Sequence, residues 1–212
     1  MGRKMKIILI RHGESEFNKI SKEADNRIYS GQFDCKLSKN GKKEAKDLRN
    51  SIYIKQIEKI YSSDLKRALQ TAKLSTKRLD IIIDKRLRER SLGDFNGKYV
   101  KQLKEKYPDY FDNGKLKNFS NDFIVKAPNG ENNTEVMERA RDFINTIDLN
   151  ENTTIGIFSH GRFLGCFIAL LMNLEKEETL KLKIPNTVPI VLSGNRIGNF
   201  IMEFPTLKDL IK

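Results

Sequence analysis

The feature that most constrains the fold is a junction that occurs twice, where a short apolar segment meets a histidine and a glycine. Residues 6–10 and residues 153–158 are apolar runs of the length expected for buried β-strands. They lead into Arg11-His12-Gly13 and Ser159-His160-Gly161. Between such runs, apolar residues recur every three to four positions, as they do in amphipathic helices. Strands that alternate with helices predict an α/β fold with a mostly parallel sheet flanked by helices.

The remaining elements follow from the same patterns. Further strands are predicted at residues 57–61, 80–84, 188–192 and 196–203, and helices at residues 41–53, 65–79, 98–107, 132–147 and from 161 onward. Ser62-Ser63-Asp64 offers N-cap residues for the helix at 65–79, and the three isoleucines at 81–83 predict a buried strand. We expect a single domain over residues 1–212, with a small helical or loop cap at about residues 98–131.

The chain is basic, with 40 Lys and Arg against 28 Asp and Glu and a formal net charge of +12. Such a charge favours anionic partners, including small phosphate esters and nucleic acids. The basic residues are scattered, however, and no basic block alternates with aromatic residues as in a stacking platform for single strands. We therefore expect a small phosphorylated substrate as the partner and no nucleic acid.

The cysteines and the apolar segments indicate in which cellular compartment the protein is expected. Cys35 and Cys166 form neither a disulfide framework nor a metal-ligand spacing. No signal-peptide pattern opens the sequence, and the apolar run at residues 163–172 is too short to span a bilayer. We expect a cytoplasmic protein with no membrane association. The patterns leave the oligomeric state open, with a homodimer among the alternatives.

The two histidine junctions predict one shared site. In open α/β sheets, ligands bind beyond the carboxyl ends of the strands, so His12 and His160 are expected to face one crevice. The glycine after each histidine lets backbone N–H groups approach a ligand, and Gly161 also lies at the start of a helix, where the dipole favours an anion. Arg11 and Arg67 carry planar guanidinium groups that match phosphoryl oxygens. Two arginines and two histidines at one crevice predict a site for a phosphate dianion.

This set of residues supports phosphoryl transfer through histidine. A neutral imidazole is a nucleophile at phosphorus when its other nitrogen is held as a donor, and His12 is our candidate. The leaving alkoxide requires a proton, which a carboxyl group held among anionic oxygens is suited to supply. Glu89 is the favoured donor, and spacing alone does not separate it from Asp84, Asp94 and Glu105. Water then attacks the phosphohistidine with Glu89 as base, while the arginines and the second histidine offset negative charge. No step requires a metal ion or another cofactor.

Several motifs resemble those of the histidine phosphatase superfamily, also called the phosphoglycerate mutase-like family, from about Met5 to beyond Pro189. They are Arg11-His12-Gly13-Glu14-Ser15 with Asn18, Tyr61-Ser62-Ser63-Asp64-Leu65 with Arg67-Ala68 and Thr71-Ala72, Arg88-Glu89-Arg90 with Gly93 and Gly97, and Ser159-His160-Gly161. The resemblance implies a three-layer phosphoglycerate mutase-like fold, a phosphohistidine on His12, Glu89 as proton donor and His160 as the second catalytic histidine. It also implies that Asn18 contacts the transferred phosphate and that Ser30 and Gly31 help to bind the substrate.

The resemblance leaves two reactions open. The short segment between Glu89 and His160 is similar to that of the family's phosphatases and favours hydrolysis of a small phosphate ester. Residues 184–189 resemble a late segment of the mutases, so a phosphoglycerate mutase that depends on a bisphosphoglycerate primer is the alternative. The polar stretch at residues 19–29 is longer than in the mutases. A third alternative, from another class, is a non-catalytic module that binds anions or nucleic acid through its charge.

Overall fold

The computed structural model describes residues 4–21, 27–112, 115–116 and 123–211. The strands are β1 (Met5–Arg11), β2 (Ile28–Tyr29), β3 (Lys59–Ser62), β4 (Ile81–Ile83), β5 (Lys98–Tyr99), β6 (Phe111–Asp112), β7 (Lys115–Leu116), β8 (Thr154–Ser159), β9 (Ile190–Gly194) and β10 (Ile201–Phe204). The helices are α1 (Glu16–Ile20), α2 (Lys39–Asp47), α3 (Ile52–Lys55), α4 (Lys66–Thr76), α5 (Val100–Lys106), α6 (Asn133–Ile144), α7 (Gly161–Met172), α8 (Lys176–Lys181) and α9 (Leu207–Leu210).

Six strands form the central sheet, in the order β10-β9-β1-β8-β3-β4. β1, β8, β3 and β4 are parallel, whereas β9 runs antiparallel to β1 and β10 runs antiparallel to β9. β2 with β5, and β6 with β7, form two short antiparallel ladders outside this sheet. The predicted α/β fold with a mostly parallel sheet is confirmed, and the last two strands give it an antiparallel edge.

Residues of β1 alternate between the two faces of the sheet. Ile7 and Leu9 belong to a large buried cluster that includes residues of α6 and α7. Ile8 and Ile10 belong to a second cluster, with residues of α3 and α4. Because successive side chains of a strand point to opposite faces, an all-apolar strand is buried only where helices cover both sides of the sheet. The result is three layers, as the family resemblance implied.

α7 is a core helix with apolar residues on nearly every side. It has 12 residues, and those from Phe163 to Leu171 are all buried. Phe163 and Phe167 stack within the main cluster, with ring centroids 5.8 Å apart. The apolar run at residues 163–172 therefore belongs to the core. In the part of the chain that the structure describes, no helix has the length and apolar character needed to cross a bilayer.

The strand register aligns the carboxyl ends of three neighbouring strands. Arg11 at the end of β1 pairs with Ser159 at the end of β8, and Ser62 at the end of β3 pairs with Phe158. The residues that follow these strand ends therefore leave the sheet at the same edge. They are His12, His160 and Ser63.

A small apolar cluster lies outside the two main clusters. Phe95, Leu103 and Ala127 are buried in it, and five partly buried residues pack against it: Tyr29, Leu92, Tyr107, Tyr110 and Phe111. Residues 113–114 and 117–122 of the predicted cap, and residues 22–26 of the polar stretch, lie outside the described residues. That residues 98–131 form a cap on a single domain stays a prediction.

The helix predicted at residues 41–53 is interrupted. α2 ends at Asp47, a 3-10 turn follows, and α3 begins after Ser51. The Ser51 hydroxyl accepts a hydrogen bond from the Tyr53 N–H at 3.3 Å and so caps a new helix. Ile52, the first residue of α3, is 63% exposed.

The helix predicted at residues 65–79 is shorter and is capped by a different residue. The N–H of Lys66, the first residue of α4, donates to Asp34 Oδ1 at 2.7 Å, so a carboxylate from another loop replaces the predicted Ser62-Ser63-Asp64 cap. Lys77 takes a left-handed conformation, with φ at +57°, and this ends the helix. Leu79 lies beyond that end and is 89% exposed.

The three isoleucines at residues 81–83 form β4, but the prediction of a buried strand is wrong. β4 is the edge strand beside β3. Ile82 and Ile83 are 50% and 54% exposed. Apolar composition predicts a strand, whereas the position of that strand in the sheet depends on contacts with distant segments.

Candidate active site

The two histidines of the chain lie side by side at the carboxyl ends of β1 and β8. Their ring centroids are 5.1 Å apart, with 60° between the ring planes. The His12 N–H donates to the Ser159 carbonyl at 3.0 Å, which ties the end of β1 to the residue before His160. The two residues are 4% and 0% exposed, so both imidazoles are almost fully withdrawn from solvent.

His12 is held in one tautomer. Its Nδ1 lies 2.7 Å from the Gly13 carbonyl, which only accepts, so the hydrogen is on Nδ1 and the lone pair is on Nε2. The Arg67 Nε–H donates to that lone pair at 3.3 Å. Burial, followed by the charges of Arg67 and Arg11, lowers the pKa of His12 well below its usual 6.5. At neutral pH His12 is therefore a neutral imidazole whose Nε2 lone pair faces a cation.

Arg67 is buried at the start of α4 and is held by backbone carbonyls. Its Nη1 donates to the Phe33 carbonyl and its Nη2 to the Gly31 carbonyl, both at 2.7 Å. Gly31 has φ at +46°, and a Cβ there would lie 1.9 Å from Asn96 Oδ1, so the turn requires glycine. Of the predicted substrate-binding pair, Gly31 supports Arg67, and the Ser30 carbonyl accepts the Phe33 N–H at 2.9 Å to close the turn.

Arg11 contributes a buried donor. Its Nη1 donates to the Ile184 carbonyl at 2.7 Å, whereas its Nε is buried and has no hydrogen-bond partner among the described residues. Burial lowers the pKa of Arg11, although the nearby Glu89 carboxylate raises it. Gly161 packs against the guanidinium, since a Cβ there would lie 3.3 Å from Arg11 Nε. A larger residue at 161 would crowd this donor.

His160 contributes a second buried nitrogen. Its Nε2 lies 2.9 Å from Ser63 Oγ, whereas its Nδ1 has no hydrogen-bond partner within the described ranges. Burial, followed by the charges of Arg67 and His12, lowers the pKa of His160 well below 6.5. Buried polar atoms without partners are uncommon in folded proteins. Arg11 Nε and His160 Nδ1, beside the N-terminus of α7, therefore mark a place for an anionic ligand.

The Glu89 carboxylate lies at the N-terminus of α7. Its Oε1 accepts the N–H groups of Arg90 and Phe163 at 2.8 and 3.1 Å, and its Oε2 accepts the Arg162 N–H at 3.3 Å. The three alternative carboxylates have other surroundings: Asp84 pairs with Arg86, Asp94 accepts from Tyr107 and Asn129, and Glu105 is exposed on α5. Among these four, Glu89 is the one that lies beside His160.

The loop that carries Glu89 is held by Arg139 of α6. The Arg139 Nη1 donates to the carbonyls of Arg86 and Arg88 at 2.6 and 2.8 Å. Its Nε and Nη2 donate to the two Glu131 carboxylate oxygens at 2.9 and 2.8 Å. This fork fixes the backbone on the N-terminal side of Glu89 and so limits where its carboxylate lies.

Asn18 is part of a helix cap. Ser15 Oγ accepts the Asn18 N–H and Asn18 Oδ1 accepts the Ser15 N–H, both at 3.1 Å, at the start of α1. The side-chain oxygen of Asn18 is thus engaged locally. Any contact of Asn18 with a phosphate, as the resemblance implies, falls to its side-chain N–H groups.

Two residues that were not among the predicted site residues hold the His12 loop. Asn186 Nδ2 donates to the His12 carbonyl at 2.5 Å, and Thr71 Oγ1 accepts the Gly13 N–H at 3.0 Å. Both lie in segments that carry the family resemblance. The bond between Asn186 and His12 spans 174 positions, however, and no local pattern indicates such a contact.

We also searched the described residues for metal-binding groups and for reactive cysteines. Among them, no group of three or more His, Cys, Asp or Glu side chains is placed to hold a metal ion. Cys35 and Cys166 are buried free thiols. Burial raises the pKa of Cys166 to about 12, so its thiol stays protonated at neutral pH.

A mostly parallel sheet with two histidines, two arginines and a carboxylate gathered at its strand ends defines a phosphoryl-transfer protein of the histidine phosphatase type. Residues 7–204 match the family model of the histidine phosphatase superfamily (branch 1), and the chain belongs to this family.

Its relatives include phosphatases and mutases. Phosphoserine phosphatase 1 of Hydrogenobacter thermophilus is 33% identical over 159 residues, covering 74% of this chain and 71% of that protein. A probable phosphoglycerate mutase of Cronobacter sakazakii is 30% identical over 185 residues, covering 86% of this chain and 81% of that protein. The structure of a mycobacterial glucosyl-3-phosphoglycerate phosphatase with VO3 is similar with a TM-score of 0.76 at 25% identity, covering 93% of this chain and 96% of that one.

Proposed function

We propose that this protein is a metal-independent phosphomonoesterase that hydrolyses a small phosphate ester through a phosphohistidine on His12. The observation that supports this most is the pairing of the two imidazoles, 5.1 Å apart. One of them presents its Nε2 lone pair, and the other lies next to it with an unpartnered buried nitrogen. This is the arrangement that attack on a bound phosphoryl group requires.

In the first step, His12 Nε2 attacks phosphorus and forms an N–P bond while the bond from phosphorus to the ester oxygen breaks. Arg67 Nε–H, which contacts the Nε2 lone pair in the resting site, turns to a phosphoryl oxygen when the substrate enters. Glu89 enters this step as the protonated acid, gives its proton to the departing alkoxide and becomes a carboxylate. The product alcohol leaves, and the phosphoryl group stays on His12.

In the second step, water attacks the phosphohistidine and Glu89 accepts its proton. The N–P bond breaks, and His12 regains its Nε2 lone pair as inorganic phosphate forms. Throughout, Arg11 and Arg67 offset the negative charge on the phosphoryl oxygens, and the N-terminus of α7 adds its positive dipole end. Two backbone N–H groups at this same helix end also bind the Glu89 carboxylate. The position of Glu89 relative to the anion site is therefore fixed by one element, α7.

The first test is phosphate release from a generic ester such as 4-nitrophenyl phosphate. His12→Ala should lower kcat/KM by at least about 10³-fold, because no other group forms the covalent intermediate. Saturating EDTA should leave wild-type turnover unchanged. Turnover that stops with the chelator, or that survives His12→Ala, would contradict the mechanism.

The second test separates Glu89 from its alternatives. Glu89→Gln should lower kcat/KM by about 10²-fold or more for an alkyl ester such as phosphoserine, whose leaving group needs a proton. The loss should be at least about tenfold smaller for 4-nitrophenyl phosphate, whose leaving group is stable without one. Glu105→Gln, an exposed carboxylate on α5, is the matched control and should behave as wild type. Equal losses for both esters would remove Glu89 from the role of acid.

A phosphoglycerate mutase that needs a bisphosphoglycerate primer is the second candidate. It is favoured by the 30% identity with a protein named as a probable phosphoglycerate mutase. The test is to measure isomer interconversion and phosphate release on the same phosphoglycerate, with and without the primer. Interconversion slower than phosphate release discards the mutase.

The names of the relatives make phosphoserine and the phosphoglycerates the first esters to screen.

A further inference from the structure

Ser63 is a buried hydroxyl that contacts His160 and has no part in the steps above. Its Oγ lies 2.9 Å from His160 Nε2, and Ser63 is 0% exposed. The Ser63 N–H donates to the Phe158 carbonyl at 3.0 Å, which fixes the end of β3 beside β8. Because Asp34 caps α4, the hydroxyl is not needed as the N-cap that the sequence suggested.

The hydrogen bonds around the hydroxyl decide the direction of its contact with His160. Ser63 Oγ accepts the Leu65 N–H at 3.3 Å. The hydroxyl hydrogen needs an acceptor, and His160 Nε2 is the one that the described contacts provide. If Nε2 carried the hydrogen instead, Oγ would accept two hydrogen bonds and its own hydrogen would have no acceptor among the described contacts. The satisfied arrangement is Ser63 O–H donating to Nε2, with the imidazole hydrogen on Nδ1.

We propose that Ser63 is a positioning residue that sets the tautomer of His160, so that Nδ1–H faces the phosphoryl group as a donor. This inference rests on the proposed phosphatase function. The other tautomer would turn the Nδ1 lone pair toward phosphoryl oxygens and repel them. The low pKa of His160 supports the proposal, because a neutral imidazole has one hydrogen and its place matters.

Nitrogen-15 NMR tests the tautomer without any reference to activity. The chain has only two histidines, so long-range ¹H–¹⁵N spectra contain two sets of imidazole signals, which His12→Gln assigns. In phosphate-free buffer at pH 7.5, both rings should show a protonated Nδ1 and an unprotonated Nε2. A protonated Nε2 on His160 in the wild-type protein overturns the proposal before any serine variant is made.

Three variants then test whether the Ser63 hydroxyl controls the tautomer of His160. Ser63→Ala should shift His160 toward the tautomer with hydrogen on Nε2 and leave the His12 signals unchanged. Ser63→Thr keeps a hydroxyl and should restore the wild-type pattern. Ser62→Ala is the matched control, because Ser62 is an equally buried neighbour whose Oγ donates to the Ser63 carbonyl at 2.9 Å. It should leave the spectra of both histidines unchanged.

Kinetics with 4-nitrophenyl phosphate provide the second readout. Ser63→Ala should lower kcat by about 10²-fold with KM changed by less than about threefold, because an oriented donor matters most as charge develops in the transition state. Ser63→Thr and Ser62→Ala should stay within about threefold of wild type in kcat. If Ser63→Ala leaves the His160 spectrum and kcat unchanged, the proposal fails while the role of His12 stands. If His12→Ala retains activity, the phosphatase mechanism fails, whatever the spectra show.

Discussion

Acid sensitivity of the fold is the prediction that follows most directly from the two buried histidines. Both have pKa values well below 6.5, burial being the first cause. In the unfolded chain each histidine binds a proton as the pH falls through about 6.5. The folded protein does not, so below that pH the unfolded state binds more protons and the free energy of unfolding falls. Stability from this source is fully present above pH 6.5 and is lost on acidification.

The magnitude follows from proton linkage. Between pH 7.5 and 5.5, proton binding stabilises the unfolded state by about 1.4 kcal/mol for each histidine that stays neutral in the folded state. Both together should lower the free energy of unfolding by about 2.7 kcal/mol. The chain has only these two histidines, so no exposed imidazole adds to the change. Carboxylates with lowered pKa values, such as Asp64 beside Arg88, affect stability mainly below this range.

Urea denaturation followed by circular dichroism at the two pH values measures this change. The buffer must lack phosphate, because a ligand that binds the folded state would add its own stabilisation. His12→Gln and His160→Gln should each reduce the loss between pH 7.5 and 5.5 to about 1.4 kcal/mol, whatever their absolute stability. A wild-type loss below about 0.5 kcal/mol, or single variants that lose as much as wild type, would refute the reasoning.

Three further predictions concern residues outside the histidine pair. Thr187→Gly should raise the free energy of unfolding by roughly 1 kcal/mol, because Thr187 has φ at +52°, where a branched side chain is strained; a lower urea midpoint would contradict this. Arg139→Lys should lower the free energy of unfolding by about 2 kcal/mol and reduce kcat, because lysine lacks the fork that holds Glu131 and the Glu89 loop; unchanged denaturation and activity would argue against that role. Burial raises the pKa of Cys166 to about 12 and keeps its thiol protonated at pH 8, so peptide mass spectrometry should find Cys166 unmodified by iodoacetamide in the native protein and alkylated after unfolding; rapid native alkylation would contradict the assignment.

Elements whose sequence signals lie close together along the chain were predictable. β1, β8 and α7 were expected from apolar runs and from the glycine after each histidine, and they lie within a residue or two of the predicted bounds. The start of α6 is stabilised by a capping box between Asn132 and Glu135, three positions apart. Such signals act over one helical turn or one strand, so the local sequence contains them.

Elements whose environment depends on distant segments were not predictable in the same way. The cap of α4 comes from Asp34 in another loop, and the exposure of Ile82 and Ile83 follows from the place of β4 at the edge of the sheet. The contact between Ser63 and His160 spans 97 positions. Local patterns did not distinguish that hydroxyl from an ordinary helix cap.

The sequence by itself determined the class of fold, the two histidine junctions and the family, because these depend on residue type, periodicity and short motifs. The tertiary structure alone decided how the junctions meet: the parallel register that sets Arg11 opposite Ser159, the carbonyls that hold Arg67, and the tautomer of each imidazole. The physical reason is that hydrogen-bond direction and burial arise only when segments far apart in the chain pack together.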